Sequence, residues 1–153
     1  MKIINLKQKP EYLQILAEWH QQEWSHFNPG QSLSGRIDKM QAYLNDEFIP
    51  TTFVAENEKL LGSAAIIKCD MEERKQFSPW LASVYVAPEF RGQGIASELV
   101  RHAMAQAFKQ GVEKLYLYTP DQQLFYKKLG WLTEERLSYH QEDVTIMSVI
   151  LKS

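Results

Sequence analysis

The 153-residue chain predicts an α/β (α+β) fold, a mixed central sheet of about seven strands with about four helices in the order βααβββαβαββ. Three observations carry this expectation. Residues 51–56 and 60–68 are apolar, strand-like runs around Asn57-Glu58-Lys59, the pattern of an antiparallel hairpin. Residues 81–118 read strand, glycine-bearing turn, long helix, strand, and such a unit pairs its strands in parallel through a right-handed crossover. Two more strand-like runs, 132–137 and 144–151, close the chain.

The remaining elements follow in order. Residues 2–6 read as a short strand. Pro10 opens a helix to about Phe27, with Leu13, Leu16, Ala17 and Trp24 on one side. Asn28-Pro29-Gly30-Gln31-Ser32 reads as a loop. A second helix is expected over 36–45, where Ile37, Met40 and Leu44 fall at helical spacing. The polar run 70–78 reads as a loop, and the apolar run 81–87 suits a central strand covered on both faces. In the long helix Ile95, Leu99, Ala103 and Ala107 recur every four residues and should face the sheet, with Gly111 ending it. Residues 114–119 form a strand. Asp121 is the expected cap of a short helix closed by Gly130.

Composition narrows the class. One domain, residues 1–153, is the expected organisation. Hydrophobic residues make up 44%, enough for one buried core. Lys and Arg number 17 against 19 Asp and Glu, for a net charge of −2, so no basic excess points to nucleic acid. No apolar run approaches the ~20 residues of a membrane span, and no apolar signal core precedes Pro10. Cys69 is the only cysteine, which excludes an internal disulfide. A cytoplasmic protein is the simplest expectation.

The segment Arg91-Gly92-Gln93-Gly94-Ile95-Ala96 carries the most functional information. It lies between a strand and a helix start, where unpaired N–H groups and the helix dipole favour an anion. Glycines let the backbone approach a phosphate closely, and Arg91 adds a guanidinium. A nucleotide-hydrolase loop needs Gly-Lys-Ser/Thr, but Ile95 follows Gly94. A dinucleotide-binding turn needs a third spaced glycine, and Ser97 stands there. The form Arg/Gln-x-x-Gly-x-Gly/Ala, a pyrophosphate turn for coenzyme A, is matched by Arg91, Gly94 and Ala96.

With the preceding Val84-Tyr85-Val86-Ala87-Pro88-Glu89-Phe90 and the later Leu124-Phe125-Tyr126-Lys127-Lys128-Leu129-Gly130-Trp131, the chain resembles the GCN5-related N-acetyltransferase (GNAT) superfamily. The element order is that of the GNAT fold, so the resemblance covers essentially the whole chain. It implies acyl transfer, usually acetyl from acetyl-CoA, to a primary amine of a small molecule or peptide. No metal is required, and His20, Glu23 and His26 lack a further ligand set. By carry-over, the backbone amides of Arg91, Gly92, Gln93, Gly94, Ile95 and Ala96 hold the pyrophosphate. The backbone of Val84, Tyr85 and Val86, on a strand that bulges and splays in the family, holds the pantetheine arm. Tyr126 is the general acid for the leaving thiolate.

The chain departs from the family pattern in two places. The common asparagine and alanine before and within the short helix are replaced by Thr119 and Gln122, which leaves Thr119 or Gln123 as substitutes against the pantetheine arm. The strand residues 80–83 contain no carboxylate to serve as base; a water chain, Glu23 or His140 remain candidates. Trp24 and Phe27 are candidates for an acceptor wall. A family-type homodimer is a further expectation. The alternative class is a domain that senses acyl-CoA or docks a partner without turnover.

Overall fold

A computed structural model describes residues 1–27 and 29–152. Seven strands form one sheet in the order β1-β2-β3-β4-β5-β7-β6. They are β1 (Lys2–Asn5), β2 (Thr51–Glu56), β3 (Leu60–Ile67), β4 (Trp80–Val86), β5 (Lys114–Thr119), β6 (Leu132–Tyr139) and β7 (Glu142–Ile150). Only β4 and β5 pair in parallel; every other neighbouring pair is antiparallel. The helices are α1 (Tyr12–Trp24), α2 (Leu33–Met40), α3 (Ile95–Lys109) and α4 (Gln123–Lys128). Among the described residues no helix is long and apolar enough to cross a membrane.

Strand alternation divides the core between two faces. Leu115 and Leu117 of β5, with Met147 and Val149 of β7, join Ile95, Leu99, Ala103 and Ala107 of α3 in one cluster. The intervening Tyr116, Tyr118, Val144 and Ile146 pack on the other face with Phe27, Met71 and Trp80. Leu13, Leu16 and Ala17 of α1 pack there too, beside Val54 of β2. The four-residue spacing of α3 therefore marks its sheet-facing stripe as expected.

Several boundaries differ from the sequence reading. The first helix tightens into a 3-10 turn, Ser25–Phe27, instead of running on as α-helix. The second begins earlier than residue 36: Ser32 Oγ accepts from Gly35 N–H at 3.0 Å, so α2 starts at Leu33. Its expected last turn is a 3-10 helix, Gln41–Leu44. Asn28 of the expected loop lies outside the described residues. Asp121 does not cap α4. The residue before the helix is Gln122, which makes no side-chain cap, and Thr119 Oγ1 instead closes the preceding turn by accepting from the N–H of Gln122 at 3.0 Å and of Asp121 at 3.4 Å. The last two strands extend further than expected and meet in a two-residue hairpin turn, with His140 and Gln141 both left-handed at φ 49° and 67°.

Candidate active site

Beyond Val86 the chain makes a short turn, Pro88–Phe90, and enters α3 through Arg91-Gly92-Gln93-Gly94. Gly92 and Gly94 have φ +79° and +82°, a conformation that costs other residues energy. A Cβ on either would meet no heavy atom within 4 Å, so the space before the turn is open. The Gly94 carbonyl accepts the first helical bond, from Glu98 N–H at 3.2 Å. The N–H groups of Ile95 and Ala96 therefore precede the helical ladder, at the positive end of a 15-residue helix. The buried Ile95 side chain pins this end to the core. An open cradle, two left-handed glycines and donors that precede the ladder fit a pyrophosphate.

Arg91 is placed differently from the expectation. Its Nε donates to the Val86 carbonyl at 2.8 Å, and the guanidinium lies 5.4 Å from the Tyr85 ring centroid and 3.7 Å from Glu23. Its own N–H donates to the Pro88 carbonyl at 3.3 Å. Arg91 thus braces the end of β4 rather than adding to the open cradle.

Between β4 and β5 only Trp80 and Tyr116 are in register, and beyond them the strands part. The other edge of β4 carries a bulge. Ser63 lies opposite Tyr85 and Ala65 opposite Ala82, so Ser83 and Val84 together face Ala64. Ser83 takes φ +53°, which the alternating apolar pattern of this strand did not reveal. Gly62 allows the close approach: a Cβ there would come within 2.4 Å of the Tyr85 carbonyl oxygen.

The bulge is held from α1. Ser63 Oγ donates to the Ser83 carbonyl at 3.1 Å, and His20 Nε2 lies 3.1 Å from the same hydroxyl. The hydroxyl has one proton, already given to Ser83, so Nε2 must be the donor to it. Burial, and then the charge of Arg36, push the His20 imidazole down to about 3, which keeps it neutral. Sequence reasoning missed this role, although His20 continues the buried stripe Leu13, Leu16, Ala17 at helical spacing.

Val84 and Val86 pack with α3, leaving their backbone at the cleft edge. Tyr85 points the other way, with ring centroids 5.5 Å from Trp19, 5.8 Å from Trp24 and 6.0 Å from His20. Tyr126 of α4 is buried in the cluster that holds Val84, Val86 and Leu117. Burial pushes its phenol well above the usual range, and among the described residues no hydrogen bond to the hydroxyl contributes. An open hollow of about 680 Å³, lined by Pro79, Val112 and Lys114 among others, lies at the far end of β5, away from the turn.

A profile described as the Acetyltransferase (GNAT) family matches residues 12–131. The chain belongs to this family. It is 31% identical over 91 residues to N-alpha-acetyltransferase 30 of Schizosaccharomyces pombe (strain 972), a match covering 56% of this chain and 60% of that protein. The chain thus spans less than two thirds of that relative. Its fold is similar to that of an aminoglycoside 6'-N-acetyltransferase complexed with coenzyme A, with TM-score 0.79 at 15% identity over 100% of this chain and 98% of that one. It is also similar to a spermidine N-acetyltransferase from Vibrio cholerae in complex with CoA and spermine, with TM-score 0.76 at 20% identity over 98% and 95%.

Within this GNAT frame the other expected site residues fall out as follows. The side chains of Thr119 and Gln123 are engaged at the entry of α4: Gln123 Nε2 donates to Thr145 Oγ1 at 3.0 Å and to the Pro120 carbonyl at 3.3 Å. Phe27 is buried, 6.1 Å from Tyr118, and so is floor rather than free wall; Trp24 is half-buried against His20 and Tyr85. Glu23 is exposed beside Arg91, and His140 sits at the hairpin tip 4.2 Å from Tyr139. His26 lies 3.2 Å from Glu142. His20, Glu23 and His26 therefore serve three different partners and do not converge.

Proposed function

We propose that this chain transfers an acyl group, acetyl as the default, from acyl-CoA to a primary amine of a small molecule or peptide, by direct attack in a ternary complex. The observation that carries this reading is the open turn with two left-handed glycines, set beside a parallel strand pair that parts after one registered position. The thioester supplies an activated acyl carbon. The turn amides of Gly92, Gln93, Gly94, Ile95 and Ala96 bind the pyrophosphate, and the unpaired β4 edge at Val84, Tyr85 and Val86 holds the pantetheine arm. The bulge turns a backbone N–H toward the carbonyl oxygen, where charge develops during attack. Tyr126, kept protonated by burial, donates a hydrogen bond to the departing sulfur.

A Gly94→Val variant tests the cosubstrate site. No protein atom opposes the new side chain, but it fills the open cradle and strains the φ of +82°. Micromolar binding of acetyl-CoA by wild type in calorimetry, weakened at least about tenfold in the variant, is expected; equal binding would remove the turn assignment. A non-catalytic sensing role is the second reading, favoured by the absence of a carboxylate on β4. It requires acetyl-CoA binding without thiol release across a panel of amines.

A further inference from the structure

The polar segment between β3 and β4, residues 68–79, is fastened to the sheet at three points. Met71 is fully buried in one cluster with Phe27, Trp80, Val144 and Ile146. The Phe77 ring stacks on Tyr116 of β5, with centroids 4.5 Å apart and planes at 4°. Arg74 Nε donates to Glu135 Oε1 of β6 at 2.8 Å, and Arg74 Nη2 reaches the second oxygen of the same carboxylate. Within the segment the Arg74 N–H donates to the Met71 carbonyl and the Phe77 N–H to the Arg74 carbonyl, both at 3.0 Å. Ser78 Oγ closes the base of the segment on the Lys68 carbonyl at 2.7 Å. Met71 is therefore held as a fixed part of the sheet face.

Strand alternation places that face against the splay. Val84, Val86, Leu117 and Tyr126 belong to the α3 side of the sheet. Trp80, Tyr116 and Tyr118 belong to the other side, with Met71. Trp80 and Tyr116 are the one registered pair of β4 and β5, and Tyr118 lies beyond them on the parted stretch. The Tyr118 ring is 6.3 Å from Trp80 and 6.1 Å from Phe27, and Ile146 pairs with Tyr118 from β7. Met71 and Phe27 thus fill the sheet face around Tyr118 at the closed end of the splay. Tyr85 and Trp24, with ring centroids 5.8 Å apart, stand toward its open end.

We propose that Met71, backed by Phe27, is the end wall of the acceptor site and sets its length: the acceptor is a primary amine on a short apolar substituent, which lies along the rings of Tyr85, Trp24 and Tyr118 and stops at Met71. This rests on the acyltransferase reading above. In that reading the thioester lies along the β4 edge at Val84, Tyr85 and Val86. The α3 side of that edge is filled by the core around Tyr126, so the amine nitrogen approaches the acyl carbon from the Tyr85 face. A substituent running from that nitrogen toward the closed end of the splay meets Met71 and Phe27.

The chemistry of the wall matches an apolar end. Met71, Phe27, Val144 and Ile146 carry no polar hydrogen, and the one polar atom of the Trp80 side chain, Nε1, is spent on the Phe77 carbonyl at 2.6 Å. Methionine is an unbranched filler that packs well against aromatic rings. Its truncation to alanine removes the three heavy atoms beyond Cβ and leaves room for about two methylenes. In an apolar pocket one methylene more or less changes kcat/KM about tenfold or more, so the length limit is readable in a homologous series.

The test measures kcat/KM by thiol release for unbranched alkylamines from propylamine to octylamine, in wild type, Met71→Ala and the milder Met71→Val, with acetyl-CoA calorimetry on each. Wild type should prefer one short chain length and lose about tenfold or more with each methylene beyond it. Met71→Ala should move the preferred length up by about two methylenes and raise kcat/KM for the first excluded amine about tenfold or more. Propylamine turnover and acetyl-CoA affinity should change by less than about threefold, since neither reaches the wall. Met71→Val should shift the profile the same way by a smaller step, and it carries the test if the alanine variant does not fold. An unchanged profile, or a uniform loss at every chain length, marks Met71 as packing only and overturns the proposal. A wild type that binds acetyl-CoA but acylates none of these amines also overturns it, and leaves the acyltransferase reading standing for other acceptors. A wild type that does not bind acetyl-CoA overturns both.

Discussion

At the scale of single residues, Tyr126 and Arg91 differ in what holds their side chains. Tyr126 sits in the core, and burial alone moves its phenol upward. In the proposed reaction, a phenol held in the protonated form would donate a hydrogen bond to the leaving sulfur. Tyr126→Phe should therefore lower kcat about tenfold to 100-fold while acetyl-CoA affinity stays within about twofold of wild type. Because among the described residues no hydrogen bond to the hydroxyl supports the fold, its removal should leave the melting temperature unchanged or slightly higher. Steady-state thiol release, calorimetry and a thermal melt on one preparation check all three, and an unchanged kcat would remove the role. Arg91 was expected at the phosphate because of its residue type and spacing. The guanidinium instead satisfies the Val86 carbonyl and covers Tyr85. Spacing fixed the backbone of the turn; side-chain direction depended on the strand end and on Glu23 of α1, which no local pattern connects.

At the scale of elements, the bulge of β4 is a built feature held from another element. Ser63 reads as an ordinary polar strand residue, and His20 as one member of a possible metal set. In the structure they form a chain from α1 to the Ser83 carbonyl. Ser63→Ala leaves that carbonyl and the His20 Nε2 proton unpaired in the core, which should cost about 1–3 kcal/mol. The bulge should also lose its fixed backbone, so turnover should fall several-fold further than acetyl-CoA affinity does. His20→Phe breaks the same chain, and the double variant should be less than additive, because the second change removes what the first already broke. Additive losses in stability and turnover would separate the two residues. The strands, the stripe of α3 and the order of elements were legible because alternation and four-residue spacing report local geometry. The left-handed Ser83, the Thr119 turn before α4 and the His140-Gln141 turn were not, because each uses residue types without a strong conformational signature.

At the scale of the whole molecule, two ionisable groups, His20 and Asp70, oppose each other in their effect on stability. His20 sits at about 3 in the fold against an ordinary value of 6.5, because burial disfavours its charge. Over that window the unfolded chain binds more protons, so stability from His20 rises with pH. Asp70 sits at about 7 against an ordinary 3.8, also through burial. There the folded chain binds more protons, so stability from Asp70 is full at low pH and is lost as pH climbs through about 7. Each slope is at most about 1.4 kcal/mol per pH unit, and between about pH 4 and 6.5 they run in opposite directions. Glu56, Glu134 and Glu135 are held below the usual carboxylate range, first by their hydrogen bonds to Lys9, Ser148 and Arg74 respectively, and they add an acid loss common to every variant. Wild-type melting temperature should therefore be nearly flat from pH 4.5 to 6.5. Asp70→Asn should unmask the His20 slope and become more stable as pH rises, exceeding wild type above pH 7 where the crowded charge has been removed. His20→Phe should do the reverse and lose stability across the same range. Thermal melts of the three proteins at half-unit pH intervals decide the matter. Parallel curves would mean that burial does not disfavour the charge of either group, and a steeper wild-type rise alone would mean that Asp70 finds a partner when folded.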